Sequence, residues 1–251
     1  NEAVKSVASL VSVTGDDATV NMKSNYPTVV KKVNDKNADD VNIGDTVTYT
    51  LTSKVPDMTG YTSYVFNFKD TLAKGLTFGS ITSVTVGSGE NVQNVTEGTG
   101  DNTYTLTQDG QNITITMNNF FASNENKAGQ EINVTYTATL NKDAVTGFDP
   151  NTNKATVEYS NKPGTDEKGE SEPSIVDVHT FNFTIFKYYL KDETKTGLAN
   201  AEFELYKANE AGDAADTNAK INIVKVKDGE YRQATPEEAA TEGFKPDVIV
   251  S

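Results

Sequence analysis

"EINVTYTATL", residues 131–140, decides the fold class. Apolar residues alternate with small polar ones, and β-branched side chains are frequent. A period of two with that composition marks a strand with one buried face. "DTVTYTLTS" (45–53) and "NITITMNNF" (112–120) repeat the pattern. Turn signals fall between such segments: "NIGD", "AKGL", "GSGEN", "QDGQN" and "NKPG". Long helical periodicity is missing. The expected class is all-β, with Ig-like β-sandwich domains in tandem.

At 251 residues the chain has room for two domains and a third fragment. Lys and Arg number 22 against 36 Asp and Glu, a net charge of −14. That balance argues against nucleic acid or an anionic membrane surface as partner. Cysteine and tryptophan are absent. The lack of thiols fits an exported protein and leaves no disulfide to staple the fold. No apolar run is long enough to span a membrane as a helix. The chain opens at Asn1 in mid-pattern, with neither a signal peptide nor a wall-sorting signal, which suggests an excised or processed piece of a longer protein.

Three units are expected. Residues 1–24, with "SLVSV" and "ATVNM", read as the end of a preceding domain or an N-terminal extension. Residues 25–178 read as one sandwich, in which "NKPGTDEKGESEPS" (161–174) is a long hairpin or linker. Residues 179–251 are too few for a full domain of this kind, and "PEEAA" (236–240) suits a single helical turn.

"YPTVVKKVND" (26–35) poses a chemical question, because two lysines adjoin within a strand. Alternation puts Val29, Lys31 and Val33 on one face, and Val30 and Lys32 on the other. The face with two flanking valines suits the core, so Lys31 turns inward and Lys32 toward water. The same test on "NKATVEYS" (153–160) groups Asn153 with Ala155, Val157 and Tyr159. In "YVFNFKDTL" (64–72) it groups Asp70 with Tyr64, Phe66 and Phe68. An amine, an amide and an acid thus head for the same kind of interior. Burying each unpaired would cost several kcal/mol per ion. Desolvation lowers a lysine pKa and raises an aspartate pKa. A neutral Lys31 amine is then a nucleophile for the Asn153 carbonyl, with Asp70 polarising that carbonyl and relaying protons, and ammonia leaving. The product is an intramolecular isopeptide bond. A semi-buried Lys–Asp ion pair beside an asparagine that caps a turn satisfies the same pattern without covalent chemistry.

The succession "PTVVKKV", "IGDTVTYTLTSKVPD", "FNFKDTLAKGLTF", "VTYTATLN", "NKATVEYSNKP" resembles the isopeptide-forming middle domain of Gram-positive pilins and related fimbrial surface proteins. The resemblance covers roughly residues 26–162 and extends to the A-type repeat of collagen adhesins. It implies a bond from the first-strand lysine to the last-strand asparagine, helped by a buried acid; the matching positions are Lys31, Asn153 and Asp70. It also implies a structural fimbrial subunit on the cell wall of a Gram-positive bacterium, not an enzyme beyond its own single-turnover processing. Other pilin subunits, joined by sortase, and a host surface ligand are the implied partners. A non-polymerising adhesin that binds a host protein or glycan is the alternative.

"FTIFKYYLKDETKTGLANAEFELYK" resembles the start of a B-type collagen-adhesin domain. Phe181, Phe183, Ile185, Lys187 and Tyr189 share a face by alternation, which makes Lys187 a second candidate amine. Its partner asparagine and the family's "YxLxET" motif are not seen before Ser251, so no completed bond is expected at Lys187. Backbone pilins carry a sortase-linked lysine in a "YPK" motif. Here Lys23 precedes its tyrosine and proline in "TVNMKSNYP", so it is a weak match to that role and equally a plain surface lysine.

Nothing else carries chemistry clearly. His179 is the only histidine, which argues against zinc or a histidine-based triad. "DKNADD" (35–40) lacks the spacing and glycine of an EF-hand. No phosphate-cradling loop and no marked pair of glycosidase carboxylates appear. Neither a cofactor nor a metal is expected.

Overall fold

The computed structural model describes residues 26–250. The expected strands within 1–24, and Lys23, lie outside the described residues. Thirteen strands carry the chain from Val30 to His179. They are β1 (Val30–Val33), β2 (Ala38–Asp40), β3 (Thr46–Lys54), β4 (Phe66–Leu72), β5 (Leu76–Val86), β6 (Gln93–Asn94), β7 (Thr96–Glu97), β8 (Thr103–Asp109), β9 (Asn112–Met117), β10 (Glu131–Leu140), β11 (Asn151–Ser160), β12 (Lys168–Glu170) and β13 (Ser174–His179). A short helix, α1 (Phe120–Asn124), follows β9.

Two sheets result. One runs β1-β3-β10-β5-β6, and the other β2-β13-β11-β4-β9-β8-β7 with β12 paired on β11. Alternation builds the core between them. In β3 the buried residues are Val47, Tyr49, Leu51 and Ser53; in β10 they are Ile132, Val134, Tyr136, Ala138 and Leu140. From the other sheet come Phe66 and Phe68 of β4, Ile113 and Ile115 of β9, and Ala155, Val157 and Tyr159 of β11. The three segments expected as strands are β3, β9 and β10, and β10 spans all of 131–140.

The stretch 161–174 is the long hairpin of the two options: Lys168–Glu170 folds back antiparallel on Glu158–Ser160. β11 is therefore not the last strand of the sandwich. β13 follows it, burying Val176 and Val178, and pairs with both β11 and β2. The apolar alternation of "SIVDVH" supplies the reason, since those valines need the same interior.

β5 does not pair evenly with β10. The register slips on both sides of Tyr136, between Thr135 and Tyr136 and between Tyr136 and Ala138. Gly79 lies in the slipped stretch, where a Cβ would stand 2.6 Å from Thr137 Oγ1, so only glycine fits without a shift.

Beyond His179 the architecture changes. Four separate two-stranded ladders form: Tyr188–Lys191 with Thr194–Gly197, Glu202–Phe203 with Ile249–Val250, Tyr206–Ala208 with Ala215–Lys220, and Ile223–Lys227 with Glu230–Gln233. The helical turn expected at 236–240 is α2 (Pro236–Ala239), opened by a capping box between Thr235 and Glu238.

Candidate functional site: a buried amine, acid and amide

β1 is short and lies at the edge of its sheet, yet its inward row is deeply covered. Val29, Lys31 and Val33 are buried while Val30 is exposed. Lys31 stands opposite Leu51 of β3, and its backbone N–H donates to Ser174 Oγ at 2.9 Å, which ties this edge strand to β13 of the facing sheet. Lys32 faces the other way and donates to Asn37 at 2.6 Å.

From the second sheet, Asp70 of β4 pairs with Ala155 and Asn153 of β11 pairs with Leu72. Asp70 and Asn153 are thus diagonal neighbours on one face. Lys31, Asp70 and Asn153 are 1%, 2% and 0% exposed. The structure brings all three sequence-selected groups into one interior.

Tyr136 joins them. Its hydroxyl accepts from Lys31 Nζ at 2.7 Å and from Asn153 Nδ2 at 2.7 Å, and donates to Asp70 Oδ2 at 2.9 Å. That uses its one donor and both acceptor positions. Lys31 Nζ also donates directly to Asp70 Oδ2. The amine and the amide nitrogen therefore touch the same oxygen and stand no more than twice 2.7 Å apart. Tyr136 pairs across the strands with Tyr49, ring stacked on ring at 5.2 Å. The Lys31 ammonium position lies 4.8 Å from the Tyr49 ring centre and 5.0 Å from that of Tyr136. Asp70 makes no direct hydrogen bond to Asn153; its link to the amide runs through the phenol. Asp70 Oδ1, Asn153 Oδ1 and the Tyr49 hydroxyl are buried without a hydrogen-bond partner.

Burial dominates the electrostatics. It lowers the Lys31 amine to about 8, against the opposing pull of Asp70. It raises the Asp70 carboxyl despite the Lys31 charge and hydrogen bond, and drives the Tyr136 phenol well above its ordinary value. Acid and base are thus shifted toward the neutral pair that nucleophilic attack requires.

Two asparagines face inward at the start of β11, and they differ. Asn151 is consumed by backbone: its Oδ1 accepts from Val145 N at 2.9 Å and its Nδ2 donates to the carbonyls of Val145 and Val178 at 3.0 and 3.2 Å. Asn153 donates to the phenol, its carbonyl oxygen accepts no hydrogen bond, and the Tyr49 hydroxyl lies beside the amide. Asn151 is a structural clamp; Asn153 carries a buried amide open to attack.

Sequence reasoning missed Tyr136. A signal existed: it is the one hydroxyl-bearing ring in the inward row of β10, and a buried tyrosine needs a partner for its oxygen. Lys187 departs from expectation. It is exposed, as are Phe181, Phe183 and Tyr189 of its row, and the strand begins only at Tyr188. Among the described residues no second sheet covers that row, so it has no interior to enter.

Residues 43–163 match the family model described as "Gram-positive pilin backbone subunit 2, Cna-B-like domain". That stretch, just under half of the chain, is similar to a Gram-positive pilin backbone domain. The family so described is one of pilus backbone subunits of Gram-positive bacteria. The matched stretch of this pilin domain holds Asp70, Tyr136 and Asn153 and starts after Lys31. The match is described as Cna-B-like, where the sequence resemblance pointed to the A-type repeat. A curated relative, the trypsin-resistant surface T6 protein of Streptococcus pyogenes serotype M6, is 28% identical over 237 residues, which is 84% of this chain and 42% of that protein. The chain thus spans less than half the length of that relative. Among solved structures, the 35 kDa C-terminal fragment of the Streptococcus agalactiae major pilin GBS80 aligns with a TM-score of 0.61 at 19% identity, covering 90% of this chain and 76% of the other. The T6 backbone pilin of serotype M6 Streptococcus pyogenes aligns at 0.54 and 22% identity, over 91% of this chain and 52% of the other. At such identities the likeness speaks for the fold.

Proposed function

We propose that this pilin segment is a stalk module of a Gram-positive pilus, locked by a self-generated isopeptide bond between Lys31 and Asn153 with Asp70 assisting. One observation carries this reading: the three groups are buried together on a single phenolic oxygen, with the amine lowered and the acid raised. In the reaction, a proton passes from Lys31 to Asp70. The neutral Nζ attacks Asn153 Cγ, the Cγ–Nζ bond forms, the Cγ–Nδ2 bond breaks, and one ammonia leaves with the displaced nitrogen. Amine plus primary amide becomes secondary amide plus ammonia, with no external reactant.

The fold makes such a bond mechanically useful. It ties β1, the edge of one sheet, to β11 inside the other. Force that peels β1 away would then load a covalent bond across the core. The intact mass of the folded chain, measured under denaturing conditions, tests this: one ammonia less than the sequence mass is expected, and Lys31→Ala should restore the full mass.

The division into a module over 25–178 and a further unit over 179–251 belongs to the same proposal, as does linkage to other pilin subunits by sortase. Polymerisation through Lys23 predicts that Lys23→Ala abolishes sortase-built ladders while leaving the loss of ammonia intact.

A further inference from the structure

The planar amide of Asn153 delocalises its nitrogen lone pair, so its contact with Tyr136 runs from N–H to the phenolic oxygen. Attack on Cγ ends that conjugation. Nδ2 becomes a basic amine that must be protonated before it can leave. The group already 2.7 Å from it is the Tyr136 hydroxyl, whose other hydrogen bonds reach Asp70 and Lys31. We infer that Tyr136 is a catalytic residue of the cross-linking reaction, the general acid that protonates the departing nitrogen of Asn153. This inference rests on the isopeptide reading above.

The protons balance around this phenol. After Nζ bonds to Cγ, Tyr136 gives its proton to Nδ2, and Asp70, protonated in the reactive pair, gives its own to the phenolic oxygen. The surplus proton of Nζ passes to the Asp70 carboxylate. The oxygen lone pair reforms the carbonyl, Cγ–Nδ2 breaks, and ammonia departs. Tyr136 ends as it began. A direct route from Asp70 to Nδ2 has no hydrogen bond to follow.

The surrounding structure fixes this phenol closely. Its ring stacks on Tyr49 at 5.2 Å and packs on Phe78 at 5.7 Å. The partner strand β5 slips register on both sides of it. Bulges of that kind re-aim side chains beside functional sites.

The test uses full-length chains purified in denaturant and then refolded, with ammonia loss followed by intact mass. Tyr136→Phe keeps both ring contacts and removes only the hydroxyl. It should slow the loss by roughly 10²–10⁴-fold, the usual worth of a general acid. Wild-type speed in the folded variant would overturn the inference and leave the bond itself standing. A wild-type chain that folds and never loses ammonia would overturn both. Fluorotyrosine placed at 136 keeps the shape and changes only the acidity of the phenol. A faster reaction supports the acid role, and an unchanged or slower one refutes it, even if Tyr136→Phe fails to fold.

Discussion

Lys31 and Lys187 sit in matching patterns, each within an apolar row that alternation would turn inward, and they end in opposite environments. Lys31 is sealed between two sheets, against Asp70 and Tyr136. Lys187 is exposed, ahead of a two-stranded ladder. Alternation specifies which side chains share a face. Whether that face becomes an interior depends on a second layer, which β4, β9, β11 and β13 supply from Val30 to His179 and no sheet supplies to the Lys187 row among the described residues. Only within such an interior does an amine become a nucleophile.

Asp70→Ala should break the contrast most severely. It removes the acid and strands a buried amine, so ammonia loss should vanish. Leaving a buried charge unpartnered adds about 3–5 kcal/mol to the cost of losing the cross-link. Denaturant titration should show this variant less stable than any that keeps Asp70. Asn153→Ala keeps the Lys31–Asp70 pair and loses only the proposed bond, which would close a loop of roughly 120 residues and be worth about 4–5 kcal/mol on the loop-entropy scale of disulfides. For a chain of this size, scanning calorimetry should register roughly 10–20 °C of lost Tm.

Next comes pH. The reactive pair, neutral amine plus protonated acid, holds the same number of protons as the ion pair. Ammonia loss during refolding should therefore fall as pH rises through about 8, where Lys31 gives up the shared proton. A freely solvated lysine nucleophile would accelerate instead. In unlinked Asn153→Ala the sign for stability follows from the lowered amine. Between about 8 and 10.5 the unfolded chain binds more protons at Lys31 than the folded one, so this residue's contribution to stability should rise with pH across that window. The smallest effect sharpens the comparison from the other side. Lys187→Ala should change neither the mass deficit nor the stability by more than about 0.5 kcal/mol.

Much of the site was legible because strands write their faces into sequence at a period of two. Lys31, Asp70 and Asn153 could be assigned inward from their valine, aromatic and alanine–valine neighbours alone. Strand pairing was not legible in the same way. That Asp70 and Asn153 are diagonal neighbours on adjacent strands, and that Tyr136 arrives from the opposite sheet to bridge them, depends on register and layer packing, which no local pattern encodes. That the Lys187 row is exposed was not legible for the same reason. The hairpin at Lys168–Glu170 and the closing strand Ser174–His179 show a further limit: the charged, Gly- and Pro-containing stretch read equally as a hairpin or a linker, and only its pairing on Glu158–Ser160 decides between them.

The central claim meets its most direct test in a single experiment, mass spectrometry of the intact chain followed by mapping of its proteolytic fragments. A deficit of one ammonia, located in a branched peptide that joins the segment around Lys31 to the segment around Asn153, is the predicted result. A folded chain at its full sequence mass, releasing those two segments as separate peptides, would contradict it.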